Sequence, residues 1–230
     1  MDTNSTSLDI INFRKYMYSN YSKYLSTFIP IYLNLLTKEY SALLENFPYV
    51  SFETLARIKN PSSYFEKGSS KPDNYTFSDI YANKYIINSV NNSKDEKILS
   101  KTCYEFSNFL TIYNLHNENN LTEFTDYITN PKRNSYSSLH LKFQNSSMQD
   151  FRFETQIKTE KMRWNEKFGE ASHTQNYKKR HNVTLDILPI FIKPFYNSNG
   201  VLEFKLQDRK SSFKEYYGFS YEEYLRNEER

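Results

Sequence analysis

Residues 127–140, YITNPKRNSYSSLH, set a proline, two adjacent cations, two tyrosines, three serines and a histidine in one stretch that runs straight into LKF. A flat ring beside cations and hydroxyls is chemistry suited to a nucleotide: the ring stacks on a base while the cations draw phosphates. Two following stretches carry matching polar groups. In SLHLKF, Leu139, Leu141 and Phe143 point one way and Ser138, His140 and Lys142 the other. In FRFETQIKT, Phe151, Phe153 and Ile157 share a face, leaving Arg152, Glu154, Gln156 and Lys158 opposite. Neighbouring strands of this kind present one wall rich in charge. Upstream, RIKNPSSYFEK places Arg57, Lys59, Ser63 and Lys67, and DIYANKYII places Asp79 and Lys84, so cations and carboxylates accumulate on elements that strands must bring together.

The elements that would position these groups are readable from period and punctuation. Apolar residues recur at helical spacing from about Asp9 to Glu45, with a break expected at Pro30, since proline removes a backbone donor and crowds the preceding turn. YVSFETLARIKN and DIYANKYIINSV read as strands, PSSYFEK as a turn and short helix, and SKDEKILSKTCYEFSNFL as a helix with a serine cap. TEKMRWNEKFGEASHTQNYKK is a helix carrying Trp164 and Phe168 and interrupted around Gly169. LDILPIFIKPFYNSNGVLEFKL is a hairpin turned by NSNG, and SYEEYLRNEER a charged terminal helix. The expected fold class is α+β, a mixed β-sheet flanked by helices. Residues 1–47 form an N-terminal helical layer, 48–180 the core and 181–230 a hairpin and helix appendage.

Composition narrows the classes. The 230 residues suit one decorated domain, and no internal repeat supports a solenoid. Tyr 21 and Phe 18 against Gly 4 imply a core of rings. The formal net charge of +3 tolerates an anionic partner without establishing one. The single Cys103 excludes an internal disulfide and a multi-cysteine metal site. No apolar stretch approaches membrane length and the start lacks a basic segment followed by an apolar run, so no membrane partner is expected and the localisation is read as cytoplasmic. His116 and His181 are read as ordinary packing or surface residues.

Taken in order, five pieces resemble the RelA/SpoT-type alarmone synthetases. RIKNPSSYFEK is similar to the family's R-x-K-x-x-x-S-x-x-x-K segment at Arg57, Lys59, Ser63 and Lys67, and DIYANKYII to its D-I-x-G-x-R-x-I strand at Asp79. The 127–140 stretch resembles the Y-I-x-x-P-K-x-N-G-Y-x-S-L-H loop, and ETQIKTEKM and GEASHTQNYK resemble the strand and helix end that follow it. The resemblance implies a nucleotidyltransferase-like synthetase fold over residues 48–180 and transfer of the β,γ-pyrophosphate of ATP to a nucleotide 3′-hydroxyl. It further implies that Arg57, Lys59, Ser63, Lys67, Lys84 and Lys158 bind ATP, that Asp79 and Glu154 are catalytic and hold Mg²⁺, and that Tyr136, His140, Gln156, Lys132, Arg133 and Asn134 bind the acceptor. His173, Tyr177 and Lys178 are read as a wall of the site. Ser135 and Ala82 stand where the family has glycine, Lys84 and Lys158 where it has arginine, and Lys167 where longer relatives have glutamate. The chain contains no His-Asp dipeptide, so a synthetase without the family's hydrolase domain is expected.

Three readings of the acceptor follow. The first is the tRNA 3′ end, as in the toxic small alarmone synthetases, which implies an antitoxin protein as partner. It draws on the altered loop, the basic charge, and a C-terminal hairpin in place of the helices that assemble ordinary small synthetases. Arg14, Lys15, Lys178, Lys179 and Arg180 are candidate tRNA contacts on this reading. The second reading is GDP or GTP, giving (p)ppGpp. The third is a nucleotide- or RNA-binding module without catalysis.

Overall fold

Alternating strands need a common sheet to share their apolar face. The computed structural model, which describes residues 3–59, 79–168, 190–208 and 210, with side chains from Tyr21 onward except that of Lys167, shows that sheet. The elements are α1 (Thr3–Asn46), β1 (Val50–Ile58), β2 (Tyr81–Val90), α2 (Glu96–His116), β3 (Asn119–Asp126), β4 (Leu139–Asn145), β5 (Arg152–Thr159), α3 (Glu160–Phe168), β6 (Ile190–Tyr196) and β7 (Leu202–Leu206). Seven strands lie in the order β3-β4-β5-β2-β1-β6-β7. Among the described residues β2 and β5 pair in parallel and the other pairings are antiparallel. The fold is therefore the expected α+β arrangement of a mixed sheet with helices. The stretches expected as a short helix after β1, as the helix end beyond Phe168 and as the terminal helix lie outside the described residues, as do Ser63, Lys67, His173, Tyr177 and His181.

Register divides the sheet into two faces. One carries Ala56, Ile58, Tyr81, Tyr85, Ile87, Phe153, Ile157, Leu139, Leu141 and Phe143, all buried in the hydrophobic core. Helices α1 and α2 cover it: Tyr32 packs on Tyr81 and Phe153, and Phe106 on Phe52 of β1. Helix α3 packs against β2 and β5. Strand β6 hydrogen-bonds to β1 and continues the same sheet.

Two expectations need correction. Pro30 does not break α1, which runs unbroken through it. Pro30 is exposed, so the carbonyl it deprives of a donor meets water, while the stripe Tyr21, Tyr24, Tyr32, Leu36 and Leu43 on the covered side holds the helix to the sheet. The cap of α2 is Asp95, whose carboxylate accepts from the Lys97 amide at 2.8 Å, and not the serine before it. Strand β3, NNLTEFTD, lacks alternation because it is an exposed edge, and pairing with β4 alone makes it a strand. The NSNG hairpin is present as expected: Gly200 adopts φ 72° and the Asn197 side chain accepts from the amides of Asn199 and Val201.

A carboxyl group lies inside the apolar layer. Glu39 of α1 is fully buried and accepts hydrogen bonds from Asn114 Nδ2 (2.5 Å), Tyr85 Oη (2.9 Å) and Asn83 Nδ2 (3.3 Å). Asn83 in turn accepts from Thr155 Oγ1 at 2.7 Å. The network ties α1 to α2, β2 and β5, and so fixes the underside of the polar face. Burial raises the Glu39 carboxyl above its ordinary range against the pull of its three donors. Because the folded state holds the proton to higher pH, stability falls as pH rises from the ordinary glutamate range through the raised value. Glu39→Gln should flatten that slope, and Glu39→Leu, which strands three buried donors, should cost roughly 2–4 kcal/mol in urea unfolding.

The loop between β3 and β4 is held at its base by Asp126, which accepts from the amides of Ile128 and Thr129 and from the hydroxyls of Thr129 and Tyr104. Ser135 has φ 61°, a left-handed conformation that costs a residue with a Cβ. The chain thus keeps the backbone shape for which glycine is suited. Ser135→Gly should raise stability by roughly 0.5–1 kcal/mol in thermal or urea melts, the gain being reduced by glycine's greater freedom when unfolded.

Candidate active site

Cross-strand register brings the dispersed polar residues onto the sheet face that α3 borders. Arg57 of β1 lies opposite Ala82 of β2, Ala82 opposite Glu154 of β5, and Glu154 opposite Lys142 of β4. In the next row Lys84 lies opposite Gln156, and Gln156 opposite His140. Ala82 puts only a methyl group between Arg57 and Glu154. Cations from β1 and β2 therefore flank a carboxylate from β5, with the histidine of β4 on its far side.

Around Glu154 the hydrogen bonds close on themselves. Gln156 Nε2 donates to Glu154 Oε1 at 2.6 Å, and His140 Nδ1 lies 3.4 Å from the same oxygen. The Tyr136 hydroxyl is 2.8 Å from His140 Nε2 and 3.2 Å from Gln156 Oε1. Burial by itself would raise the Glu154 carboxyl, but the His140 and Gln156 donors and the Arg57 charge together hold it well below the usual carboxylate range. Glu154 is thus firmly ionised, fit to hold a cation or orient a hydroxyl.

Tyr136 is 5% exposed, with its hydroxyl turned inward. Its ring stands edge-on to Tyr127, and the exposed Lys132 sits with Nζ 4.5 Å from the Tyr127 ring centre and 5.0 Å from that of Tyr136. Burial raises the Tyr136 phenol above its ordinary value. Arg133 is exposed, and Asn134 is half-buried with an enclosed Oδ1 that has no hydrogen-bond donor. Tyr136 is therefore buried with its hydroxyl in the polar cluster, and Lys132 lies over its ring.

Asp79 precedes β2 and forms an ion pair with Lys59, which follows β1. Among the described residues no group of three or more His, Cys, Asp and Glu side chains converges. Asp79 and Glu154, the two carboxylates expected to hold Mg²⁺, are hard oxygen donors of the kind that ion takes, and in this structure they have separate partners, Lys59 for Asp79 and Gln156 for Glu154.

Lys84 and Lys158 share a partner that the sequence did not single out. Glu166 of α3 receives Lys84 Nζ on Oε1 at 2.6 Å and Lys158 Nζ on Oε2 at 2.9 Å. Lys158 is fully buried and also donates to the Tyr136 hydroxyl (3.2 Å) and Gln156 Oε1 (3.3 Å). Burial lowers both ammonium groups' pKa and would raise the Glu166 carboxyl, which the two lysines instead pull well below its ordinary range. Glu166 stands beside Lys167, the position compared with a family glutamate. The signal that hid it is amphipathicity: Trp164 and Phe168 would be assigned the buried side of α3, yet both are exposed.

Comparison with known proteins accords with this geometry. A sequence profile described as a region found in RelA / SpoT proteins matches residues 56–182. The crystal structure of small alarmone synthetase 2 from Bacillus subtilis superposes with TM-score 0.51 at 22% identity, covering 69% of this chain and 83% of that one. Small alarmone synthetase 1 from the same organism, solved with its product pppGpp, gives TM-score 0.50 at 18% identity over 71% of this chain and 83% of that one. A GTP pyrophosphokinase family protein from Streptococcus pneumoniae gives 0.51 at 18%, over 69% and 77%. These likenesses are of fold. A Rickettsia felis protein named for ankyrin repeats is 31% identical over 124 residues, which are 54% of this chain and 9% of that much longer protein. With the profile spanning more than half of its residues and its sheet shared with solved relatives, the chain belongs to the RelA/SpoT family.

Proposed function

We propose that the protein is a pyrophosphokinase that moves the β,γ-pyrophosphate of ATP onto a nucleotide 3′-hydroxyl. The observation that carries this reading is the row Arg57, Ala82, Glu154 with Lys84 and His140 beside it, which sets phosphate-binding cations against an ionised carboxylate on one sheet face. In the reaction the 3′-hydroxyl oxygen forms a bond to the β-phosphorus, the bridge between α- and β-phosphorus breaks, AMP leaves and the hydroxyl loses its proton. Arg57, Lys59 and Lys84, with Ser63 and Lys67 outside the described residues, hold the triphosphate; arginine grips two oxygens and lysine one. Asp79 and Glu154 would hold Mg²⁺, which when bound neutralises charge on the transferring group. Glu154 also orients the attacking hydroxyl. Lys132, Arg133 and Asn134 meet the acceptor with Tyr136, His140 and Gln156. Lys158, being buried, acts on ATP only indirectly.

For the acceptor we favour the tRNA 3′ end. The loop around Tyr136 presents Lys132 and Arg133 outward, where a polyanion would meet them. Pyrophosphorylation of that hydroxyl blocks aminoacylation, so the protein would act as a toxin and require an antitoxin partner. GDP or GTP is the second reading, favoured by the product pppGpp in the Bacillus subtilis structure.

Incubation with ATP labelled at its γ-phosphate and GDP, GTP or bulk deacylated tRNA should transfer label to tRNA; label confined to guanine nucleotides would remove the toxin reading. Glu154→Gln should lower transfer by about 10²–10⁴-fold while ATP binding persists, and retained turnover would take Glu154 out of the mechanism. Raising salt should weaken tRNA binding with a slope of several counterions, whereas GDP binding should respond far less.

A further inference from the structure

Glu166 bridges two lysines that belong to different halves of the site. Lys84, on β2 and partly exposed, lies on the donor side with Arg57. Lys158, on β5 and fully buried, supports the acceptor side: it hydrogen-bonds to the Tyr136 hydroxyl and lies 4.8 Å from that ring's centre. Each takes a different oxygen of the one carboxylate. A buried ammonium without an anion is costly, so Lys158 depends on Glu166 to stay charged under Tyr136. Lys84, whose side chain is 21% exposed, depends on it less.

From this we infer that Glu166 is a positioning residue with opposite effects on the two substrates: it is a displaceable counter-anion on Lys84, holding the place of an ATP phosphate, and a permanent anchor for Lys158 beneath Tyr136. The inference rests on the pyrophosphokinase reading above. A phosphate oxygen arriving at Lys84 exchanges one anionic partner for another, so Glu166 competes with ATP. No such exchange occurs at Lys158, which no substrate reaches. Removing the carboxylate's charge therefore frees the donor side and loosens the acceptor side.

The test measures binding of a non-hydrolysable ATP analogue with Mg²⁺, and separately of GDP and deacylated tRNA, to the wild type and to Glu166→Gln, with thermal melting of each protein. Glu166→Gln should bind the ATP analogue about tenfold more tightly and bind whichever acceptor the wild type takes up to about tenfold more weakly. A residue that merely holds α3 in place would weaken both together, and a spectator would move neither; either result overturns the inference. In the wild type, which avoids any folding defect of the variant, lysine ammonium NMR signals should show Lys84 shifting when the analogue is added while Lys158 stays. A complex in which Lys84 remains on Glu166 overturns the proposal. Absence of any analogue binding by the wild type overturns the pyrophosphokinase reading and this inference with it, whereas binding with both affinities moving together in Glu166→Gln overturns this inference alone.

Discussion

Strand β5 is buried on both faces, and the site is organised by the need to partner its charges there. Phe153 and Ile157 face the apolar layer, while Glu154, Gln156 and Lys158 point the other way and are almost as fully covered. An isolated charge in that position costs several kcal/mol, so each is stable only with a partner in place. Glu154 finds His140 and Gln156; Lys158 finds Glu166, Tyr136 and Gln156. Such pairs add little net stability. What they fix is geometry: every polar atom satisfied by a neighbour has one orientation, which is what pre-arranged electrostatics requires.

The same logic is repeated beneath the sheet. Glu39, Asn83, Tyr85, Asn114 and Thr155 form a second polar network inside an otherwise aromatic layer. Asn83 and Thr155 alternate with Lys84 and Glu154 along their strands, so a shift of either strand by one residue would bury the wrong set on both faces. Two networks on opposite faces thus lock the β2–β5 register, and that parallel pairing is what puts Ala82 beside Glu154.

Much of this was legible in the sequence because period 2 survives in strands with one apolar face. SLHLKF and FRFETQIKT gave their two faces directly, and the register confirms that His140, Glu154, Gln156 and Lys158 lie on the same side. The edge strand β3 was not legible, since a strand exposed on most of its length need not alternate. Pro30 misled because the rule for proline is local, whereas the buried stripe of α1 is tertiary. Glu166 was missed for a similar reason: a carboxylate beside two aromatics on a short helix reads as solvent-facing, and only two ammonium groups across the gap, one fully buried and one partly so, reverse that preference. The placement of Asp79 beside Lys59 likewise comes from the ends of β1 and β2 meeting, which no spacing along the chain encodes.

Lysine rather than arginine at positions 84 and 158 has a structural counterpart. A guanidinium is a planar fork that takes both oxygens of a carboxylate, so one arginine would saturate Glu166 alone. Two ammonium groups, each a point donor, divide it between them, one oxygen each, as the distances of 2.6 and 2.9 Å show. The departure at these positions is therefore matched by a carboxylate placed to serve both lysines. The cost of that arrangement falls on Tyr136, whose hydroxyl is tied to Lys158, His140 and Gln156 and whose ring is capped by Lys132.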